Sequence, residues 1–214
     1  SPDFVQTKLI DSIYNEFSGE HNELIRSTFD TIKKRPISMQ IATNSDDRDK
    51  LALEAAKQLQ DPNGPRVAVF ELDGFDTHAA QGGVDGAHAD ELEEVNNIVK
   101  ILYKNLGPSF DNTIIVTLTE FGRTIKQNGA NGTEHGYGSV ILMAGGLLKK
   151  SQVYTDWPGL KKKNLFEGRD LNSTIDSRAV YNSAMSVCFD KDPDFLRREV
   201  FWGDNLPDLS QELF

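Results

Sequence analysis

The sequence has a single cysteine, Cys188, in 214 residues. No disulfide can therefore close within it, and no cysteine cluster can hold zinc. Cations are also scarce: 23 Lys plus Arg stand against 33 Asp plus Glu, for a net charge of -10. Such a surface repels a nucleic-acid backbone overall, and no nucleic-acid partner is expected. The basic run KKK at residues 161–163 lacks the interleaved aromatic residues of a strand-binding platform and reads as a solvated face. No apolar run approaches the length of a membrane-spanning helix, so no membrane span is expected. The opening SPDFVQTKL has no charged-then-apolar leader pattern, and an exported form would have shed its leader. Histidine is limited to His21, His78, His88 and His135, few enough that each can be weighed singly.

What is present is a 38% hydrophobic chain, long enough for one sizeable domain with a helical appendage. Residues 1–62 read as a helical segment packing on the core. Val5, Leu9, Ile10, Ile13 and Phe17 fall at helical spacing, Leu24, Ile25, Phe29 and Ile32 repeat it, and a third helix is expected over 47–59. After the turn NGP at 63–65 the pattern changes. RVAVFEL at 66–72 reads as a buried strand, and residues 87–106 form an amphipathic helix on Leu92, Val95, Ile98, Leu102 and Leu106, closed by Gly107 and Pro108. TIIVTLT at 113–119 and SVILMA at 139–144 read as further strands, and 175–189 as a helix with Cys188 in its apolar face. Strand, helix, strand is a βαβ unit. It predicts an α/β core over 63–190, a mostly parallel sheet flanked by helices, with function at the carboxyl ends of the strands and a polar carboxyl-terminal tail over 191–214.

That arrangement sets GFDTH, after the first strand, beside EFGRT, after the second, with the glycine-rich NGANGTEHGYG bending toward the same edge. Asp76, His78, Glu120 and His135 are then oxygen and nitrogen donors for one cleft, a set that suits Zn or Mn; a hydroxide generated there can attack a phosphorus or sulfur ester. Arg123 could fork onto a tetrahedral oxyanion. The structural alternative is that these polar residues only cap turns and that Arg123 forms a salt bridge. His21 and His88 read as solvated residues at helix starts, Asp73 as a second carboxylate or a turn former, and Asp176 with Arg178 as a helix start carrying a local ion pair.

The succession GFDTHAAQ, TLTEFGRTIKQNGANGTEHGYG, VILMAGG, VYTDWPGL and EGRDLNSTIDSRAVY resembles the carboxyl-terminal half of the exported bacterial family called domain of unknown function 1501. The resemblance covers about residues 66–190. It implies a fold similar to alkaline phosphatases and sulfatases, export to the periplasm by twin-arginine signals, and an amino-terminal portion of the fold that these residues lack. It further implies a phosphatase- or sulfatase-like hydrolase acting on a small phosphate or sulfate ester, or a catalytically silent binding or assembly protein on the same scaffold. Asp76, His78 and His135 would stand for one metal site, and Glu120 for an acid of a second. Phe121 stands where the hydrolases resembled carry a His, and a phenyl ring cannot ligate a metal. Thr77, Thr119 and Ser139 are hydroxyls near the cleft, none of them in the nucleophile's expected place.

Overall fold

The computed structural model describes residues 45–214, so the two helices and the His21 position expected before Ser45 lie outside the described residues. The first described element, α1 (Ser45–Gln60), matches the expected third helix, and α2 (Ala87–Leu106) has the bounds its periodicity predicts. Both follow from apolar residues recurring at intervals of four: Ala52 and Ala56 on α1 meet Ile98, Leu102 and Leu106 on α2, all buried. The small alanines let the helix backbones approach closely. Gly107 stops α2 with a φ of 52°, in the left-handed region where a residue without Cβ is least strained, and a 3₁₀ turn over Gly107–Asn112 follows.

Polar ties reinforce the helix pair. Arg48, 7% exposed, reaches from α1 to Asp73 Oδ1 at 2.6 Å and to Glu91 Oε2 at 2.7 Å. Asp73 is thereby engaged in joining α1, α2 and the segment that leads into GFDTH.

Four short strands form two antiparallel pairs among the described residues. β1 (Ile115–Val116) pairs with β4 (Met143–Ala144), and β2 (Gly122–Arg123) pairs with β3 (His135–Gly136). The first pair is extended by Thr117 N–H donating to Leu142 O at 3.0 Å. It lies between two apolar clusters. Ile115 packs with α1 and α2, whereas Ile141 and Met143 pack on Ala179 and Val180 of α3 (Ser177–Phe189). The predicted strand over 66–72 takes part in no ladder here. Its residues nevertheless alternate, with Phe70 and Leu72 against the first cluster and Val67 and Val69 exposed.

The segment after 190 is more than a polar tail. It forms α4 (Pro193–Glu199) and α5 (Ser210–Leu213), and Leu206, Leu209 and Leu213 are buried against α3. Ser183, fully buried, accepts the Leu209 N–H at 2.8 Å and locks this closure. Cys188, expected in the core, is instead exposed, because the buried stretch of α3 runs over Ala179, Val180, Asn182, Ser183 and Ala184 and has ended before it. None of the described helices is long and apolar enough to cross a membrane.

Asp176 caps α3 by accepting the Arg178 N–H at 2.9 Å, and Arg178 Nη2 lies 2.7 Å from Asp176 Oδ2, as the local ion pair anticipated. The hydrogen bonds from Arg178 hold the Asp176 carboxyl below the usual range. Asp176→Ala is expected to cost about 1 kcal/mol at neutral pH, the usual value of a helix cap. A carboxyl whose folded pKa is depressed stabilises above the ordinary Asp range and loses that contribution as pH falls through its lower folded value. Urea midpoints of wild type and variant should therefore converge in acid.

Candidate metal centre

The site begins with glycine. Gly122 and Gly136 face one another across the β2–β3 pair, and a Cβ on Gly122 would run into the Gly138 carbonyl, just as one on Gly136 would run into that of Arg123. The close pairing sets Arg123 directly opposite His135. Between the two strands, residues 124–134 form a loop built around Asn128. Its Oδ1 accepts the N–H of Ala130 at 2.9 Å and of Gly132 at 3.0 Å, and its backbone N–H donates to Gly132 O at 2.9 Å.

GFDTHAAQ docks along that loop. Ala80 and Gln81 donate their N–H groups to the carbonyls of Ala130 and Asn131, both at 2.9 Å, and Thr133 N–H returns to Thr77 O at 3.2 Å. Gly132 passes so close to the His78 carbonyl that no side chain fits there. Thr77 and Thr133 both donate to Gln81 Oε1, at 3.0 and 2.7 Å. Two segments fifty residues apart are thus held as one unit that leads into both His78 and His135.

The side chains converge. His78 Nε2 lies 2.9 Å from Asp76 Oδ1, His135 Nε2 lies 3.1 Å from the same oxygen, and the two Nε2 atoms are 3.2 Å apart. Two ligands about 2.0–2.1 Å from one ion are about 2.9 Å apart at a right angle and about 3.4 Å apart at the tetrahedral angle, so all three edges of this triangle suit a shared divalent cation. Two imidazoles and one carboxylate suit Zn or Mn. The side chains of Asp76, His78 and His135 are 52%, 44% and 51% exposed, which leaves the outer side of the triangle open to water or a substrate.

Surrounding groups orient these three. Arg123, its side chain only 18% exposed, donates from Nη1 to Asp76 Oδ1, from Nε to Thr133 Oγ1 at 3.0 Å and from Nη2 to Thr133 O. Slight burial pushes the Asp76 carboxyl up, but the hydrogen bond from Arg123 and the adjoining imidazoles of His135 and His78 outweigh it and hold the carboxyl below the usual range. His78 Nδ1 lies 2.9 Å from Glu134 Oε2. The Glu134 carboxyl is likewise held low, first by the hydrogen bond from Asn128 and then by that from His78. The Phe121 ring stacks on His135 at a centroid distance of 3.7 Å, fixing the plane of that imidazole.

Three of the four metal ligands expected from sequence meet here: Asp76, His78 and His135. Glu120 is exposed and stands apart from this group. Arg123 is the fourth expected residue at the site, bound to Asp76 rather than directed wholly at open solvent. His88 is half-buried on α2 and packs edge-on against Phe75 at 5.9 Å, where full solvation was expected. The hydroxyls of Thr119 and Ser139 hydrogen-bond to one another at 2.9 Å. Sequence reading missed Glu134, Asn128, Thr133 and Gln81. The only signal for Glu134 was its place beside His135 in TEHG.

No curated protein and no solved structure matches the chain. A family model described as protein of unknown function (DUF1501) matches residues 40–195, and the chain belongs to that family.

Proposed function

We propose that the chain is a metal-dependent hydrolase of small phosphate or sulfate esters on an alkaline-phosphatase-like α/β scaffold. The observation that carries this reading is the triangle of Asp76 Oδ1, His78 Nε2 and His135 Nε2, with edges of 2.9, 3.1 and 3.2 Å and an open outer side. When bound there, Zn or Mn would polarise the ester and lower the pKa of an attacking water. Asp76 contributes the negative charge that favours the cation, and Arg123 keeps that carboxylate ionised and oriented. The guanidinium carries five N–H donors, and its bonds to Asp76 and Thr133 leave two for the oxygens of a tetrahedral oxyanion. Export to the periplasm by the twin-arginine route belongs to the same proposal and rests on the family resemblance.

A second reading, a catalytically silent binding or assembly protein, draws on the candidate hydroxyls. Thr77 and Thr133 donate to Gln81 and Thr119 donates to Ser139, so none of these three hydroxyls hands its proton to a histidine or carboxylate base. The two readings part in a screen of aryl phosphates and aryl sulfates with Zn or Mn supplied. Turnover that disappears in His78→Ala is the result expected of the hydrolase. Metal uptake without turnover of either ester class would favour the silent protein.

A further inference from the structure

We infer that Glu134 is a positioning residue for His78: it accepts the Nδ1 hydrogen and so turns an unprotonated Nε2 toward Asp76 and His135. This rests on the metal-centre reading above. The geometry fixes both ends of the contact. Glu134 Oε2 lies 2.9 Å from His78 Nδ1, while Oε1 accepts from Asn128 Nδ2 at 2.6 Å, so each carboxylate oxygen has its own partner. The same Asn128 amide donates to His78 O at 2.8 Å. One side chain therefore spans the carboxylate and the backbone of the histidine it serves. The Glu134 backbone is pinned as well, with its N–H on Thr124 Oγ1 at 3.1 Å and its carbonyl accepting the Thr124 N–H at 2.9 Å.

The chemical need is specific. A neutral imidazole carries one hydrogen, and the partner of one ring nitrogen decides which nitrogen bears it. Were that hydrogen on Nε2, it would point at Asp76 Oδ1, 2.9 Å away, and the triangle would close on a proton instead of opening to a cation. A carboxylate behind a ligating histidine both selects the tautomer and raises the basicity of the ligating nitrogen. Loop 124–134 is thus the outer shell of the centre as well as a connection between strands.

The test uses the full chain with Glu134→Ala and His78→Ala, and zinc alone as the probe. Glu134→Ala is expected to weaken zinc binding about ten- to a hundredfold, the usual effect of removing an outer-shell partner. Glu134→Ala binding within about twofold of wild type, while His78→Ala loses zinc, would overturn the inference.

A second readout needs no metal. Imidazole nitrogen chemical shifts in mildly alkaline buffer, assigned by the signals missing from His78→Ala, should report hydrogen on Nδ1 in wild type and a shift toward Nε2 in Glu134→Ala. Hydrogen on Nε2 of His78 in wild type sinks the inference whatever zinc does. A wild type that binds no zinc yet holds hydrogen on Nδ1 overturns the metal-centre reading while supporting the role of Glu134.

Discussion

His78→Ala and His135→Ala should each weaken zinc or manganese uptake by about a hundredfold or more, beyond the ten- to hundredfold effect typical of an outer-shell partner. Either change leaves two of the three converging donor atoms, and a carboxylate with one imidazole does not define a position for the ion. The fold should tolerate both. The two side chains are 44% and 51% exposed, so truncation opens no core cavity, and the backbone ties from residues 77–81 to 130–133 do not involve the imidazoles. Competition with a chromogenic chelator, on protein purified without chelator, reads the affinity, and a urea titration checks that the variants remain folded. A wild-type protein that takes up neither ion would end the metal proposal. So would a His135→Ala variant that binds as wild type does.

Gly122→Ala is expected to be the most damaging small substitution at the site, costing about 2–4 kcal/mol and most of the metal affinity together. The new methyl would occupy the space of the Gly138 carbonyl, and that carbonyl belongs to backbone held from behind by the Gly138 N–H donating to Leu171 O at 2.8 Å. Relief requires β2 and β3 to separate, and their pairing is what sets Arg123 against His135. The control lies in the same hairpin. A Cβ on Gly129 would meet nothing within 4 Å, and Gly129→Ala should change stability by less than about 0.5 kcal/mol. Urea midpoints and zinc affinity measured on both variants separate the two effects. Equal stability for Gly122→Ala and Gly129→Ala would show that close approach at residue 122 does not hold the site together.

These two experiments probe different layers, the donor atoms and the backbone that aims them. His78→Ala removes a ligand and leaves the scaffold. Gly122→Ala leaves every ligand in the chain and removes the pairing that brings two of the segments together. The hydrolase reading requires metal affinity to fall in both, with stability falling only in the second.

Local chemistry made part of this protein legible without a structure. The fourfold spacing of Ile98, Leu102 and Leu106 and the stop at Gly107 sufficed for α2, because helix periodicity and a left-handed glycine are properties of a short stretch. The capping role of Asp176 was equally local, as a side chain meeting a backbone N–H two residues on. Asp76, His78 and His135 were recognisable as candidates by residue type, and the family by the order of its motifs.

What only the tertiary structure decided is which of those candidates meet. Glu120 precedes the β2–β3 hairpin and Glu134 lies in its loop, and composition cannot choose between them; the backbone ties between residues 77–81 and 130–133 bring Glu134 to His78 and leave Glu120 outside the cluster. The burial of Leu206, Leu209 and Leu213 was hidden for a related reason. Three leucines in a polar stretch become core only when Ser183 and the apolar face of α3 are there to receive them. Hydrogen-bond register and packing between distant segments are relations among residues, and a single sequence states each residue without stating its neighbours in space.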